Sequence, residues 1–449
     1  MGRAEPTLSL PSPSRFAGER RLACNGQVDA SVTFGHRRVM SDVAAHVVIV
    51  GAGHAGGTAA AMLRQFGYAG AITLIGDEPI APYQRPPLSK AWLKGEADAD
   101  SLALKPIEFY AGANIDFRPN LSVTRIDRAA KTVALTDGSS IAYDALILAT
   151  GARAIALPVE GKDLGGILYL RTAAHAEAQK ATLGKGRKLA VVGGGYIGLE
   201  VAASGRALGA EVVVLEREQR LLARVAAEPL STFFQAYHEK HGVRFELGCS
   251  VTGFQGKDGR VTGVTLADGR TIPCDAVVVG VGAHPNEELA KVAGLECARG
   301  VVVDLDARSV TDPNIFAIGD VAHRPMPVYD RMFRMESVPN ALEQARQATC
   351  AITGRPRPPG ECPWQWSDQY DLKLQIAGYA FDADEILIRG NPQTAKFAIF
   401  HLKGDLVQSV EAINAPPEFM MGKTLILSRK PVNKAKLADP SISMKEVAA

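Results

Sequence analysis

The sequence has little cysteine: Cys24, Cys249, Cys274, Cys297, Cys350 and Cys362 are the only six in 449 residues. They are scattered, with no C-x-x-C and no metal-like cluster, so no zinc or iron–sulfur framework is expected. A disulfide framework does not suit a chain of this size, and reduced thiols in the cytoplasm are the simple expectation. No uninterrupted apolar stretch approaches the roughly 18 residues of a membrane span, so no membrane attachment is expected. Charge is balanced, with 50 basic and 48 acidic residues and a net +2. That excludes the strong field that would draw nucleic acid.

Residues 1–39 lack a hydrophobic period and carry Pro6, Pro11, Pro13, Arg20, Arg21, Arg37 and Arg38. They contain no apolar segment of the secretory kind, and Glu5, Glu19 and Asp29 argue against a mitochondrial transit peptide. We read Met40 as the natural start and 1–42 as a disordered or mis-annotated extension.

Glycine is what the chain has in excess, 44 residues against a usual share of about 7%. The glycines cluster after apolar runs. Val47–Val50 reads as a strand buried on both faces and leads into Gly51-Ala52-Gly53-His54-Ala55-Gly56. An Ala-rich helix over Thr58–Phe66 follows, then a strand over Ala71–Ile75 that runs into Asp77 and Glu78. The pattern recurs: strand Leu189–Val192, turn Gly193-Gly194-Gly195-Tyr196-Ile197-Gly198, helix Leu199–Leu208, strand Glu211–Leu215, then Glu216. One G-x-G-x-x-G is weak evidence. Two in strand–turn–helix context, each followed by an acid, predict a duplicated dinucleotide-binding unit.

The expected fold class is therefore α/β, with two Rossmann-like domains and a C-terminal α+β domain. Short strands ending in Ala149-Thr150-Gly151, Val281-Gly282 and Gly319-Asp320 close the units. The Pro/Gly-rich segment 354–363 reads as a linker, and Phe397–Phe400 as part of an antiparallel sheet. We place one dinucleotide domain at 43–155 with 282–355, the second at 156–281, and the C-terminal domain at 356–449.

In such a turn the first glycine makes the bend, the second admits the pyrophosphate and the third lets helix pack on strand. Gly51, Gly53 and Gly56 fill these places in the first unit, and Gly193, Gly195 and Gly198 in the second. Glu216 stands where a carboxylate accepts the adenosine ribose hydroxyls. It would repel a 2′-phosphate by up to about 4 kcal/mol at 4 Å and an effective dielectric near 20. NADH is therefore expected over NADPH, with Arg217 and Arg220 as groups that soften the preference. Asp77 holds the corresponding ribose place for FAD.

These motifs, together with Pro86-Pro87-Leu88-Ser89-Lys90, Leu170-Arg171-Thr172 and Glu336-Ser337-Val338-Pro339-Asn340, recur in the order of a known family. From Met40 onward the chain resembles the FAD-dependent, NADH-using ferredoxin reductases of bacterial oxygenase systems. The resemblance implies that Ala55, Asp77, Lys90, Val123, Arg171, Asp320 and Val338 line FAD. It also implies that Lys90 and Glu200 form a pair beside the flavin's reactive nitrogen, an ammonium there stabilising reduced flavin. Tyr196 reads either as a gate for the nicotinamide or as a packing tyrosine. Trp366 reads either as a cover for the flavin near the site of electron exit or as core.

Disulfide reductases of the same fold carry C-x-x-x-x-C on the helix after the first glycine turn. This sequence has no cysteine there, so electrons are expected to leave the flavin directly for an external acceptor. The resemblance implies a 2Fe–2S ferredoxin, serving a haem-thiolate monooxygenase or a Rieske-type dioxygenase. Arg346, Lys430, Lys434 and Lys436 are candidates for its dock, and a monomer is expected. Two alternatives share the cofactor machinery: a reductase for rubredoxin, monodehydroascorbate or a quinone, and an apoptosis-inducing-factor-like interaction flavoprotein.

Overall fold

The computed structural model describes residues 44–448. The reading of 1–42 and Met40 lies outside the described residues.

The first parallel sheet is built from β1 (His46–Val50), β2 (Ala71–Ile75), β3 (Ile115–Arg118) and β4 (Ala145–Leu148). The second contains β5 (Ile167–Leu168), β6 (Lys188–Val192), β7 (Glu211–Glu216), β8 (Val243–Leu247) and β9 (Ala276–Val279). The chain then returns to the first sheet with β10 (Ile315–Ala317). The strand orders are β10-β4-β1-β2-β3 and β8-β7-β6-β9-β5, every neighbour parallel. In each sheet the glycine-turn strand is therefore central. Val47, Val48 and Ile49 are fully buried, as are Ala190 and Val191, which is why these strands are continuous apolar runs rather than alternating ones.

Both glycine turns open directly into helices, α1 (His54–Gln65) and α2 (Tyr196–Ala207). These start three or four residues ahead of the expected Thr58 and Leu199. The third glycine lies inside the first helical turn, where its missing Cβ lets the helix sit on the strand. Further along are α3 (Glu228–Lys240) and α4 (Val338–Ile352). Helix α4 packs on α1 through small residues, Ala59 and Ala60 against Ala341, Ala345 and Ala348, which allows close approach of the two backbones.

The last sheet is antiparallel and comprises β11 (Trp364–Gln369), β12 (Leu372–Gly378), β13 (Glu385–Asn391), β14 (Lys396–Lys403) and β15 (Leu406–Ile413), in the order β11-β12-β15-β14-β13. Phe397 and Ile399 point into one cluster with Leu230 and Phe234 of α3, beside the second parallel sheet. Ala398 and Phe400 point the other way, into a cluster with Phe419 and Ile426 of α5 (Pro416–Ser428). Both faces are covered, so this strand is apolar from Phe397 to Phe400, with His401 buried beyond them and Lys396 and Lys403 exposed at its ends. A short helix, α6 (Lys434–Ala438), lies against β13 at the sheet's outer edge. Among the described residues no helix is long and apolar enough to cross a membrane.

Candidate functional site

Each glycine turn divides its three glycines between packing and open space. Gly51 and Gly193 have φ of +108° and +107°. A Cβ on Gly51 would meet the Ala149 carbonyl oxygen at 2.3 Å, and one on Gly193 the Gly280 oxygen at 2.5 Å. A Cβ on Gly56 or Gly198 would fall 1.9 or 2.1 Å from the carbonyl oxygen of the first glycine of its own turn. The middle glycines differ. Gly53 has only the Arg85 guanidinium near it, at 3.7 Å, and around Gly195 nothing described lies within 4 Å. Packing accounts for the outer glycines and leaves the space over the middle ones for a ligand. Gly53 and Gly195 also cap their helices without any side-chain hydrogen bond, unlike Thr172 or Ser337. The free N–H groups and the helix dipole make each turn an anion site suited to a pyrophosphate.

The residues around the first turn fit a flavin nucleotide. Arg85 lies over Gly53, held by Glu78 at 2.9 Å and by the Arg171 carbonyl. Sequence reasoning passed it over, although it immediately precedes the quoted Pro86–Lys90 motif. Arg171 pairs with Asp320 at 2.7 Å, and Ala55 abuts Gly319 beside it. The Gly319 N–H donates to Gln344 Oε1 at 2.8 Å, and Arg334 donates to the Asp320 carbonyl at 3.1 Å. His54 opens α1 with its Nδ1 buried and unpartnered. Burial, then the nearby Arg85 charge, lowers its pKa, so it stands as a neutral imidazole with an unused polar atom at the turn. Val338 is the first residue of α4, behind the Ser337 cap, and Val123 opens a strand (Val123–Asp127) packed beneath the first sheet. Asp77 is exposed just past β2.

At the second turn Glu216 does more than the sequence suggests. Its Oε2 accepts the Gly194 N–H at 2.6 Å and its Oε1 the Glu218 N–H at 2.9 Å. The carboxylate is thereby fixed at the turn with lone pairs to spare for a ribose. Arg220 is turned away, donating to Ala223, Ala226 and Ser231, and exposed Arg217 pairs with Glu218 at 2.9 Å. Neither makes a hydrogen bond or ion pair with Glu216.

The two units meet at Lys90 and Glu200. Lys90 follows a 3-10 turn, Pro86–Ser89, and its Nζ lies 2.7 Å from Glu200 Oε2 on α2. Ser89 Oγ donates to the same oxygen at 2.5 Å, and Ser367 Oγ of β11 donates to Oε1 at 2.6 Å. The contact is reinforced where Ser204 donates to the Ser89 carbonyl at 2.6 Å. Glu200 is only 6% exposed, so these donors are what make its burial as a charge tolerable. Ser89 and Ser367 were missed from sequence. Each adjoins a residue that was singled out, Lys90 or Trp366, but nothing in a linear reading joins either to Glu200.

Tyr196 is the first residue of α2, half-buried against Leu199 and Leu372, and its hydroxyl donates to the Val225 carbonyl at 3.3 Å. Burial pushes this phenol well above its usual pKa. Trp366 is half-buried in β11, with its ring 5.5 Å from that of Trp364. The dock candidates divide. Arg346 is exposed on α4, which adjoins β11, whereas Lys434 and Lys436 lie on α6 beside β13, at the opposite edge of the sheet. Four strand spacings make about 19 Å. Lys434 is also engaged by Glu385 at 2.6 Å and Asp405 at 3.6 Å. Exposed Lys430 precedes that helix.

Two sheets of dinucleotide-binding topology, two open glycine turns and a charged pair between them define a two-nucleotide oxidoreductase. A family profile described as pyridine nucleotide-disulphide oxidoreductase matches residues 45–345, and one described as reductase C-terminal matches 364–448. The chain is 51% identical to the probable ferredoxin reductase CtmF of Castellaniella defragrans, covering 90% of this chain and 98% of that one. It is 42% identical to putidaredoxin reductase CamA of Pseudomonas putida, over 90% and 97%. The crystal structure of a covalent putidaredoxin reductase–putidaredoxin complex matches with a TM-score of 0.87 at 41% identity, over 89% and 97%. The chain belongs to the pyridine nucleotide-disulphide oxidoreductase family, among its ferredoxin reductases. It is a flavoprotein enzyme that uses FAD and a nicotinamide nucleotide.

Proposed function

We propose that this chain is an NADH-dependent reductase of a 2Fe–2S ferredoxin that serves a haem-thiolate monooxygenase or a Rieske-type dioxygenase. It works as a cytoplasmic monomer, with the domain boundaries given above. The observation that carries the reading is the Lys90–Glu200 pair, which joins the unit of one open glycine turn to the helix that follows the other.

FAD on the first turn supplies the chemistry, accepting electrons as a pair and releasing them singly. The residues do the rest. Gly51, Gly53, Gly56 and Arg85 hold its pyrophosphate, Ala55 and Asp320 line its ribityl side, Asp77 takes its ribose, and Val123, Arg171 and Val338 complete the lining. Gly193, Gly195, Gly198 and Glu216 hold the NADH, with Tyr196 at the mouth of the turn. Lys90 presents an ammonium whose charge favours reduced flavin, and Glu200 holds that ammonium in place. Trp366 covers the exit toward the ferredoxin. Because α4 and α6 flank opposite sheet edges, we assign the dock to the Arg346 side.

The test is reduction of cytochrome c by the purified yellow protein with NADH, with and without 2Fe–2S ferredoxins. Strong stimulation by a ferredoxin, exceeding that by rubredoxin, is the expected result. Flavin bleaching by NADH without stimulation by any ferredoxin would point instead to a small-molecule acceptor or an interaction role.

A further inference from the structure

The acceptor oxygens of Glu200 lie at one end of a buried chain of hydrogen bonds that the Lys90 pair does not explain. Ser367 Oγ donates to Glu200 Oε1 at 2.6 Å, and Gln369 Nε2 donates to Ser367 Oγ at 3.0 Å. Gln369 Oε1 then lies 2.7 Å from His238 Nε2 on α3, and the Tyr370 hydroxyl lies 3.4 Å from His238 Nδ1. Exposure is 6% at Glu200, 1% at Ser367 and Gln369, and zero at His238. Ser367 and Gln369 are alternate residues of β11, so the pleat places both on one face.

The chemistry of each group sets the direction of the next bond. An ionised carboxylate only accepts, so Ser367 gives its proton to Glu200 and has lone pairs left. Those can be met only by the amide nitrogen of Gln369, which turns its carbonyl oxygen toward His238. A carbonyl oxygen also only accepts, so the imidazole carries its proton on Nε2. Its bare Nδ1 then receives the Tyr370 hydroxyl. Any reversal leaves two acceptors facing each other in a buried site. Burial lowers His238 to a pKa of about 4, which keeps the ring neutral as this pattern requires. Tyr370 is itself in the left-handed region, φ +54°, at the two-residue turn between β11 and β12. A bulky residue is uncommon there, and its ring is held by stacking on His241 at 4.0 Å.

We propose that Ser367, Gln369 and His238 are positioning residues of the Lys90–Glu200 pair, a one-directional relay that holds the Glu200 carboxylate aimed at Lys90. The relay joins the α3 helix of the second unit to the C-terminal sheet and ends at the first unit's lysine. Its consequence for the flavin rests on the function proposed above; the hydrogen-bond order does not.

Two measurements on the holoenzyme test it. In protein labelled with ¹⁵N-histidine, NMR should show His238 as a neutral ring with its proton on Nε2. Glu200→Gln replaces an obligate acceptor with a group that can donate or accept, so the His238 signals should move toward a tautomer mixture. Unchanged signals in Glu200→Gln would overturn the relay. This arm does not read the flavin, so it stands apart from the assignment of function. In the second, Gln369→Leu removes the donor to Ser367, and Gln369→Glu offers Ser367 a competing acceptor. Both should leave Lys90 less well neutralised and raise the flavin midpoint potential, whatever each does to the melting temperature. A potential equal to that of the unsubstituted protein in both variants would overturn the positioning role, because packing alone separates Leu from the near-isosteric Glu.

Discussion

Lys90 Nζ and Glu200 Oε2 stand 2.7 Å apart across the junction of the two nucleotide-binding units, one side chain from each. Neither has the other as a sequence neighbour, and Glu200 is buried. Removing one charge strands the other. We expect Glu200→Gln to lower the rate of flavin reduction by NADH by ten-fold or more. The same change should cost about 1–3 kcal/mol of stability, below the figure for deleting a buried partner outright, because the one amide oxygen still accepts from Ser89 and Lys90 while the amide nitrogen can donate to Ser367. Stopped-flow absorbance and thermal melting read the two effects.

The split between packing and open glycines can be separated experimentally. Gly195→Ala has room for its Cβ and an ordinary φ of −81°. It should melt as the unsubstituted protein does in the absence of NADH, yet raise KM for NADH at least ten-fold. Gly198→Ala would put a Cβ 2.1 Å from the Gly193 carbonyl and should fail to accumulate as folded protein. Equal KM values for Gly195→Ala and the parent would mean that the space above that turn is not where the pyrophosphate sits.

Nucleotide choice should rest on Glu216 alone, since Arg217 and Arg220 are otherwise engaged. Glu216→Ser should raise the ratio of kcat/KM for NADPH over NADH by ten-fold or more, each factor of ten being about 1.4 kcal/mol. It should also lower the value for NADH, because the turn loses its bond to the Gly194 N–H. A rise in the NADPH value without any fall for NADH would contradict the bracing role.

His238 gives the protein an acid-sensitive element. Its folded-state pKa, about 4, lies below the ordinary 6.5. Between these values the unfolded chain binds a proton that the folded one refuses, so stability is complete above pH 6.5 and falls as pH drops toward 4. The full loss is about 3 kcal/mol at 1.36 kcal/mol per pKa unit. His238→Phe should flatten that part of the stability–pH curve, as read by denaturant unfolding at pH 7, 6, 5 and 4.5. The variant loses its bond to Gln369, so its absolute stability at pH 7 should fall.

What the sequence by itself determined is local in origin. Runs such as Val47–Val50 and Leu189–Val192, each meeting a glycine turn and followed by an acid, specify strand, bend and helix within about thirty residues. Short-range backbone physics therefore made both nucleotide units legible, along with their glycines and Glu216. Lys90 and Glu200 could be named individually from the resemblance. Only the tertiary structure decided what surrounds them. Ser89, Ser367 with Gln369, and His238 come from three separate segments, and a serine or glutamine carries no signal of its eventual partner. The same holds for Arg85 over Gly53 and for the engagement of Arg220. Burial turns an ordinary polar residue into an obligatory hydrogen-bond partner, and burial is decided by how the sheets and helices pack, not by the residue's own neighbours in the chain.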